Sequence, residues 1–363
     1  MELSDLVLEL LSLPGGRGAD SRGAPGRGAG AEGRPGRGFL SAFVGAGGKT
    51  SALYALAEEL AARGSRVLVS TTTKIYDPRL EGGRPLARIE LAPELAPLPM
   101  PNAGRGAAAS AELAGGSTPP APGLDARRAA ALDRVRALAS PGKIILLAAE
   151  PLPDEGKLRG VSPEALCALS DAFDHILVEA DGARRLPVKA PGPDEPVVPS
   201  CADLVVGCVG LDCLGAPIGA DTVHRSGLFA KLVGARTGES ITARHLARLA
   251  AAPEGLFKAA PPGARRLVAL NKAELLSRDE LEALLDAFAP ARRAGTPAEA
   301  ARSTLPAPAE PLAGAEPEPL PAVDAVACCR FAAPAGRVLR LRRPGRSPTD
   351  STLPPHPGLQ RIY

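Results

Sequence analysis

Gly45-Ala46-Gly47-Gly48-Lys49-Thr50-Ser51 follows a short apolar run and opens a helical pattern. Glycines let successive backbone N–H groups turn toward a phosphate, and the following helix N-terminus adds its dipole. In such a loop Lys49 reaches the β- and γ-phosphates, and the Thr50 hydroxyl ligates Mg²⁺. The loop is two residues shorter than G-x-x-x-x-G-K-[ST], whose first glycine would fall at Phe43. The plainer alternative is a glycine turn before a helix capped by a threonine.

Three further polar clusters have the same placement, each just after an apolar run. Ser70-Thr71-Thr72-Thr73-Lys74 offers hydroxyls and an ammonium; Thr72, Thr73 and Lys74 are candidates to hold a second anion or the water shell of a metal. Threonine also simply favours strands. Glu179 and Asp181 lie two apart, so in an extended strand they face one side, as acids that hold Mg²⁺ in phosphoryl-transfer sites do. The bland reading is carboxylates that cap a helix. Arg184, Arg185 and Lys189 add charge for bound or transferring phosphates, and a proline-stiffened loop from Lys189 to Pro196 carries Glu195. Asn271-Lys272-Ala273-Glu274 resembles the N-K-x-D element that reads guanine, with Glu274 in place of aspartate. His224-Arg225 follows a glycine-rich stretch, and His224 can titrate near neutrality.

Strands and helices must position these clusters. Phe39–Val44, Arg66–Ser70, Lys143–Ala149, His175–Glu179, Leu204–Val209 and Leu267–Leu270 are short, continuous apolar runs of the kind buried on both faces of a parallel sheet. Helical patterns lie between several of them, at Ala126–Leu138, Pro163–Ala172, Ile241–Ala251 and Arg278–Phe288. The expected fold is α/β: an open, mostly parallel sheet with flanking helices, like that of P-loop NTPases. Ligands then bind beyond the carboxyl ends of the strands. An N-terminal helix and a Gly/Arg-rich linker over 1–38 precede an α/β domain over 39–288. That domain carries a Pro/Ala-rich insertion near 92–124. A Pro-rich linker, a last strand near 322–332 and a basic tail complete the expected layout.

The composition excludes several classes. Forty glycines and 39 prolines in 363 residues show no three-residue period, so this is no collagen. Aromatics are 3%, poor material for a stacking platform for single-stranded nucleic acid. The net charge of +3 is no footprint for a polyanion. Six cysteines without CxxC spacing read as small buried hydrophobes, neither a disulfide framework nor a zinc site. Residues 1–13 lack the basic start of a signal peptide, and no run reads as a membrane span. A cytoplasmic protein is expected.

FVGAGGKTS, VLVSTTTKIY, GKLRGV, LVEADGARRLPVKAPGPDEPVVP, GLDCLGAPI, VHR and LNKAE together resemble the YqeC family, accessory proteins of selenium-dependent molybdenum hydroxylases. The likeness spans Phe39 to Leu276. It implies a P-loop-like nucleotide-binding protein linked to maturation of such a hydroxylase or its cofactor. Joined to the residue reading, the expectation is an Mg²⁺-dependent ATP- or GTP-binding protein acting as a slow NTPase or phosphoryl-transfer enzyme. The resemblance implies Gly45, Gly47, Gly48, Lys49 and Thr50 for phosphates, Asp181 for metal, and Lys74, Arg184, Lys189, His224 and Arg225 for a second ligand. With the residue reading added, Gly45, Ala46, Gly47, Gly48, Lys49, Thr50 and Ser51 hold phosphates, with Asn271, Lys272 and Glu274 at the base. Thr50, Glu179 and Asp181 hold the metal, and Lys49, Asp181 and Arg184 act in catalysis. Thr72, Thr73, Lys74, Lys189, Glu195, His224 and Arg225 face an anionic second ligand. The hydroxylase or a selenium-delivery protein would be the partner. The loop is also similar to that of Mur ligases, with Ala46 where those have threonine. A non-catalytic cofactor carrier, or a ligase or kinase acting on a small acceptor, are the alternatives.

Overall fold

The computed structural model describes residues 1–12, 36–80, 88–97, 123–288, 323–332 and 335–342. In chain order these form α1 (Leu3–Ser12), β1 (Phe39–Gly45), α2 (Lys49–Ala62), β2 (Val67–Thr71), β3 (Lys74–Tyr76), β4 (Arg88–Leu91), α3 (Leu124–Arg136) and β5 (Ile144–Ala148). Then come β6 (Glu150–Leu152), β7 (Lys157–Arg159), α4 (Pro163–Ala168), β8 (His175–Glu179), β9 (Val188–Lys189), β10 (Leu204–Gly210), β11 (Val223–His224) and α5 (Ser226–Val233). The remainder are α6 (Ala243–Ala251), β12 (Arg265–Asn271), α7 (Arg278–Ala287), β13 (Ala325–Ala332) and β14 (Ala335–Arg342).

Nine strands make one sheet in the order β14-β13-β12-β10-β1-β8-β2-β5-β4. Every neighbouring pair is parallel except β13–β14. The apolar runs behave as strands sandwiched between helices. In β1, Leu40, Ala42 and Val44 join one apolar layer and Phe43 the other; in β8, Ile176 and Val178 oppose Leu177. Buried residues of α3, α4, α5, α6 and α7 pack in the first layer, and those of α1 and α2 in the second. Because both faces are covered, the runs are continuous rather than alternating. The expected α/β architecture is the one observed.

β1 lies between β8 and β10, each reached by a long crossover. Such a switch point opens a crevice at the carboxyl ends of the strands. Two small sheets flank it: antiparallel β3-β7-β6, and the parallel pair β9–β11, in which Lys189 registers with His224.

Two expectations need correction. The segment from Pro334 onward was expected to be a linker and tail, yet 335–342 is β14, because β13 supplies it with an antiparallel partner. Cysteine spacing gave no sign of a disulfide, but Cys167 and Cys201, 34 residues apart, are bonded. Folding brings the end of α4 against the segment entering β10, which no sequence spacing encodes. Cys208, Cys213, Cys328 and Cys329 are outside any disulfide among the described residues and are buried, as expected of small hydrophobes. The Gly/Arg-rich stretch over 13–35 and most of the Pro/Ala-rich insertion, 98–122, lie outside the described residues.

Candidate active site

β1 ends at Gly45, and the chain turns through three glycines with positive φ into α2. The turn is held from behind. The Gly45 N–H donates to Asp181 Oδ2 at 3.0 Å, the Ala46 N–H to Cys208 O at 2.9 Å and the Gly47 N–H to Leu186 O at 3.1 Å. Asn271 Nδ2 donates to Gly47 O at 2.9 Å, while its Oδ1 accepts from the Phe331 N–H at 3.1 Å. A Cβ on Gly47 would lie 2.2 Å from the Gly210 nitrogen, so only glycine fits. The amides of Gly48, Lys49, Thr50 and Ser51 have no acceptor among the described residues. Four donors are thus left open at the start of α2. The earlier glycines serve to shape the turn.

Lys49 is buried, with Nζ 2.8 Å from Gly45 O, 3.2 Å from Asp181 Oδ1 and 3.7 Å from Glu179 Oε1. Burial works to lower its pKa, but Asp181 and Glu179 outweigh burial and hold it raised. Glu179 is raised as well, because burial dominates and its one cation is shared with a second acid. Thr50 Oγ1 donates to Glu179 Oε2 at 2.7 Å. Among the described residues no three His, Cys, Asp or Glu side chains gather into a metal cage. The Thr50–Glu179 pair places one hydroxyl and one carboxylate together at the wall of a cleft.

From Lys49 a chain of alternating charge runs through the protein. Asp181 also meets Lys189 Nζ at 3.0 Å; Lys189 meets Glu195 Oε2 at 2.6 Å; Glu195 accepts from Arg225 at 2.9 Å. Lys189 further donates to Gly182 O at 2.7 Å. Burial pushes the Glu195 pKa up, but Arg225 and Lys189 prevail and hold it below the usual carboxylate range. His224, beside them, is held below its ordinary value by burial, then by Arg225, Lys189 and Arg184.

One cleft of about 1130 Å³ joins these parts. Gly47, Gly48, Lys49, Thr50, Ser51 and Glu179 form its phosphate-loop side, and Asn271, Lys272, Glu274 and Phe331 an adjoining edge. The turn from Gly182 to Leu186, with Glu195, His224, Arg225 and the small-sheet residues Lys74, Tyr76, Glu155 and Lys157, forms the arginine side. Arg185 lies 4.3 Å from the centre of the Tyr76 ring, and Lys157 lies 5.2 Å from it.

The sequence-derived candidates thus divide. Lys74, Arg184, Glu195, His224 and Arg225 line the cleft; Lys74 pairs with Glu155. Thr72 and Thr73 do not line it: Thr72 Oγ1 donates to Val197 O, and the Thr73 N–H donates to Thr71 Oγ1. Asp181 and Lys189 are each 1% exposed and brace one another beneath the surface. Gly45 and Ala46 lie behind the turn. Asn271 secures the phosphate loop, Lys272 pairs with Asp212, and exposed Glu274 remains available at the edge. Sequence reasoning missed Tyr76 and Lys157, which become cleft residues only because β7 pairs with β3.

The sequence profile of the YqeC protein family matches residues 41–227. That span runs from β1 through the 182–186 turn to Arg225. Over 231 residues the chain is 32% identical to "Uncharacterized protein YqeC" of Escherichia coli (strain K12), covering 63% of this chain and 74% of that protein. No solved structure matches. The chain belongs to the YqeC protein family.

Proposed function

We propose that the protein binds a magnesium–nucleoside triphosphate, ATP or GTP, and uses it as an accessory protein in the maturation of a selenium-dependent molybdenum hydroxylase or its cofactor. The observation that carries the nucleotide reading is the start of α2. Four amides without acceptors among the described residues, the buried Lys49 ammonium and the Thr50–Glu179 pair converge on one cleft. Oriented amides and a helix N-terminus favour a polyanion, and a buried ammonium strengthens that preference. Thr50 and Glu179 would hold Mg²⁺, which when bound neutralises charge on the phosphate oxygens. Asp181 then acts as a positioning residue, holding Lys49 and the Gly45 amide in register. The maturation role rests on the family resemblance, and a second, anionic ligand on the basic side of the cleft.

The test is titration of Mg-ATP and Mg-GTP into the purified protein and into Lys49→Ala. Binding by the wild type, weakened at least a hundredfold in the variant, is the expected result; weak binding equal in both overturns it. For the maturation role, a co-expressed selenium-dependent hydroxylase should gain activity with the wild type and not with Lys49→Ala. Equal activity with neither protein present would remove that role.

A further inference from the structure

Among the described residues four other than glycine have positive φ: Arg184 (51°), Arg185 (61°), Arg225 (63°) and Lys272 (64°). All four are basic, and all four line the same cleft. Left-handed backbone is unfavourable for a residue with a Cβ, and arginine and lysine have none of the local hydrogen bonding that lets asparagine or aspartate adopt it. Strain of this kind persists where the surroundings impose it, and it gathers at ligand clamps. Three of the four are arginines on one side of the cleft.

The charges there are in surplus. Glu155 is shared by Lys74 and Lys157, and Glu195 by Lys189 and Arg225. Arg184 has no ion-pair partner among the described residues. The cleft also exceeds the roughly 300–1,000 Å³ usual for a single small ligand. The amides of α2 and Lys49 already suffice for the phosphates of a nucleotide. Guanidinium forks fit the paired oxygens of a phosphoryl group, which carries more charge than a carboxylate.

We infer that the arginine side of the cleft, built on Arg184, Arg185 and Arg225 with Lys157, is a second binding site for a small molecule carrying a phosphoryl or pyrophosphoryl group, seated beside the nucleotide. This deepens the nucleotide reading and rests on it for the neighbouring ligand. Tyr76, with Arg185 against its ring, fixes one end of the site, and Glu195 orients Arg225 at the other.

Calorimetric titration of pyrophosphate into protein saturated with a non-hydrolysable Mg-nucleotide tests it. One equivalent should bind. The double variant Arg184→Gly/Arg185→Gly should bind pyrophosphate at least tenfold more weakly, keep its nucleotide affinity within about threefold and melt no lower than wild type, because glycine relieves the backbone. Pyrophosphate that binds only by displacing nucleotide, citrate that binds as tightly, or a double variant that melts lower overturns the proposal. A wild type that takes no nucleotide defeats the nucleotide reading alone. The same titration on ligand-free protein then decides: arginine-dependent pyrophosphate binding supports the second site, and arginine-independent binding overturns it.

Discussion

The two sides of the cleft use the same unusual backbone with opposite side-chain choices. On the phosphate-loop side the positive-φ positions are Gly45, Gly47 and Gly48; on the other they are Arg184, Arg185 and Arg225. Glycine takes left-handed backbone freely, while a residue with a Cβ incurs ~1–2 kcal/mol. The first side needs backbone amides and close approach, so side chains are dispensed with. The second keeps its side chains at the expense of strain. On the proposed reading, the difference separates a cradle made of main chain from one made of guanidinium groups.

The largest expected effect breaks the first side. Gly47→Ala would put a Cβ 2.2 Å from the Gly210 nitrogen and 2.5 Å from Pro187 O, at φ 71°. Both contacts are backbone, so nothing flexible can yield, and a loss of about 3 kcal/mol or more is expected in urea unfolding. A loss below about 1 kcal/mol would mean the turn is loose. Asn271→Ala comes next. It removes both hydrogen bonds of the amide that ties Gly47 O to the Phe331 N–H, for about 2 kcal/mol. Nucleotide affinity should fall for ATP and GTP alike. A change in their ratio would assign Asn271 to the base instead.

The smallest effect sharpens the second side. His224 has a folded pKa below its ordinary 6.5, from burial and then from Arg225, Lys189 and Arg184. As pH falls, the unfolded chain takes the proton first. His224 therefore contributes stability that is present above about pH 6.5 and lost as pH drops through the lower folded value. His224→Asn should flatten that part of the stability–pH curve. An unchanged slope would remove His224 from the basic cluster.

Much of this was legible in the sequence. Continuous apolar runs marked the strands around β1, and their ends carried Lys49, Glu179 and Asn271 to one crevice. Burial on both faces leaves an unmistakable pattern, and phosphate loops demand glycine. What was not legible depends on three-dimensional pairing. Asp181 and Lys189 lie beneath the cleft surface and pair with one another, a depth that strand-end position alone does not encode. Thr72 read as a free hydroxyl until Val197 O came within reach. Arginine in a left-handed backbone gives no signal at all, since nothing in the residue type favours that conformation. The short strands that place Tyr76 and Lys157 are too brief for periodicity to detect.

The chain of alternating charge from Lys49 to Arg225 makes the two sides thermodynamically inseparable. Asp181 and Glu195 each serve two cations, with Lys189 between them. No pair in it has an energy of its own, because removing one member redistributes the field felt by every other. Lys49→Ala and Arg225→Ala should therefore be non-additive despite sharing no direct contact, the double variant differing from the sum of the singles by about 0.5 kcal/mol or more. Any ligand that draws Lys49 away from Asp181 is felt at Arg225 by the same arithmetic.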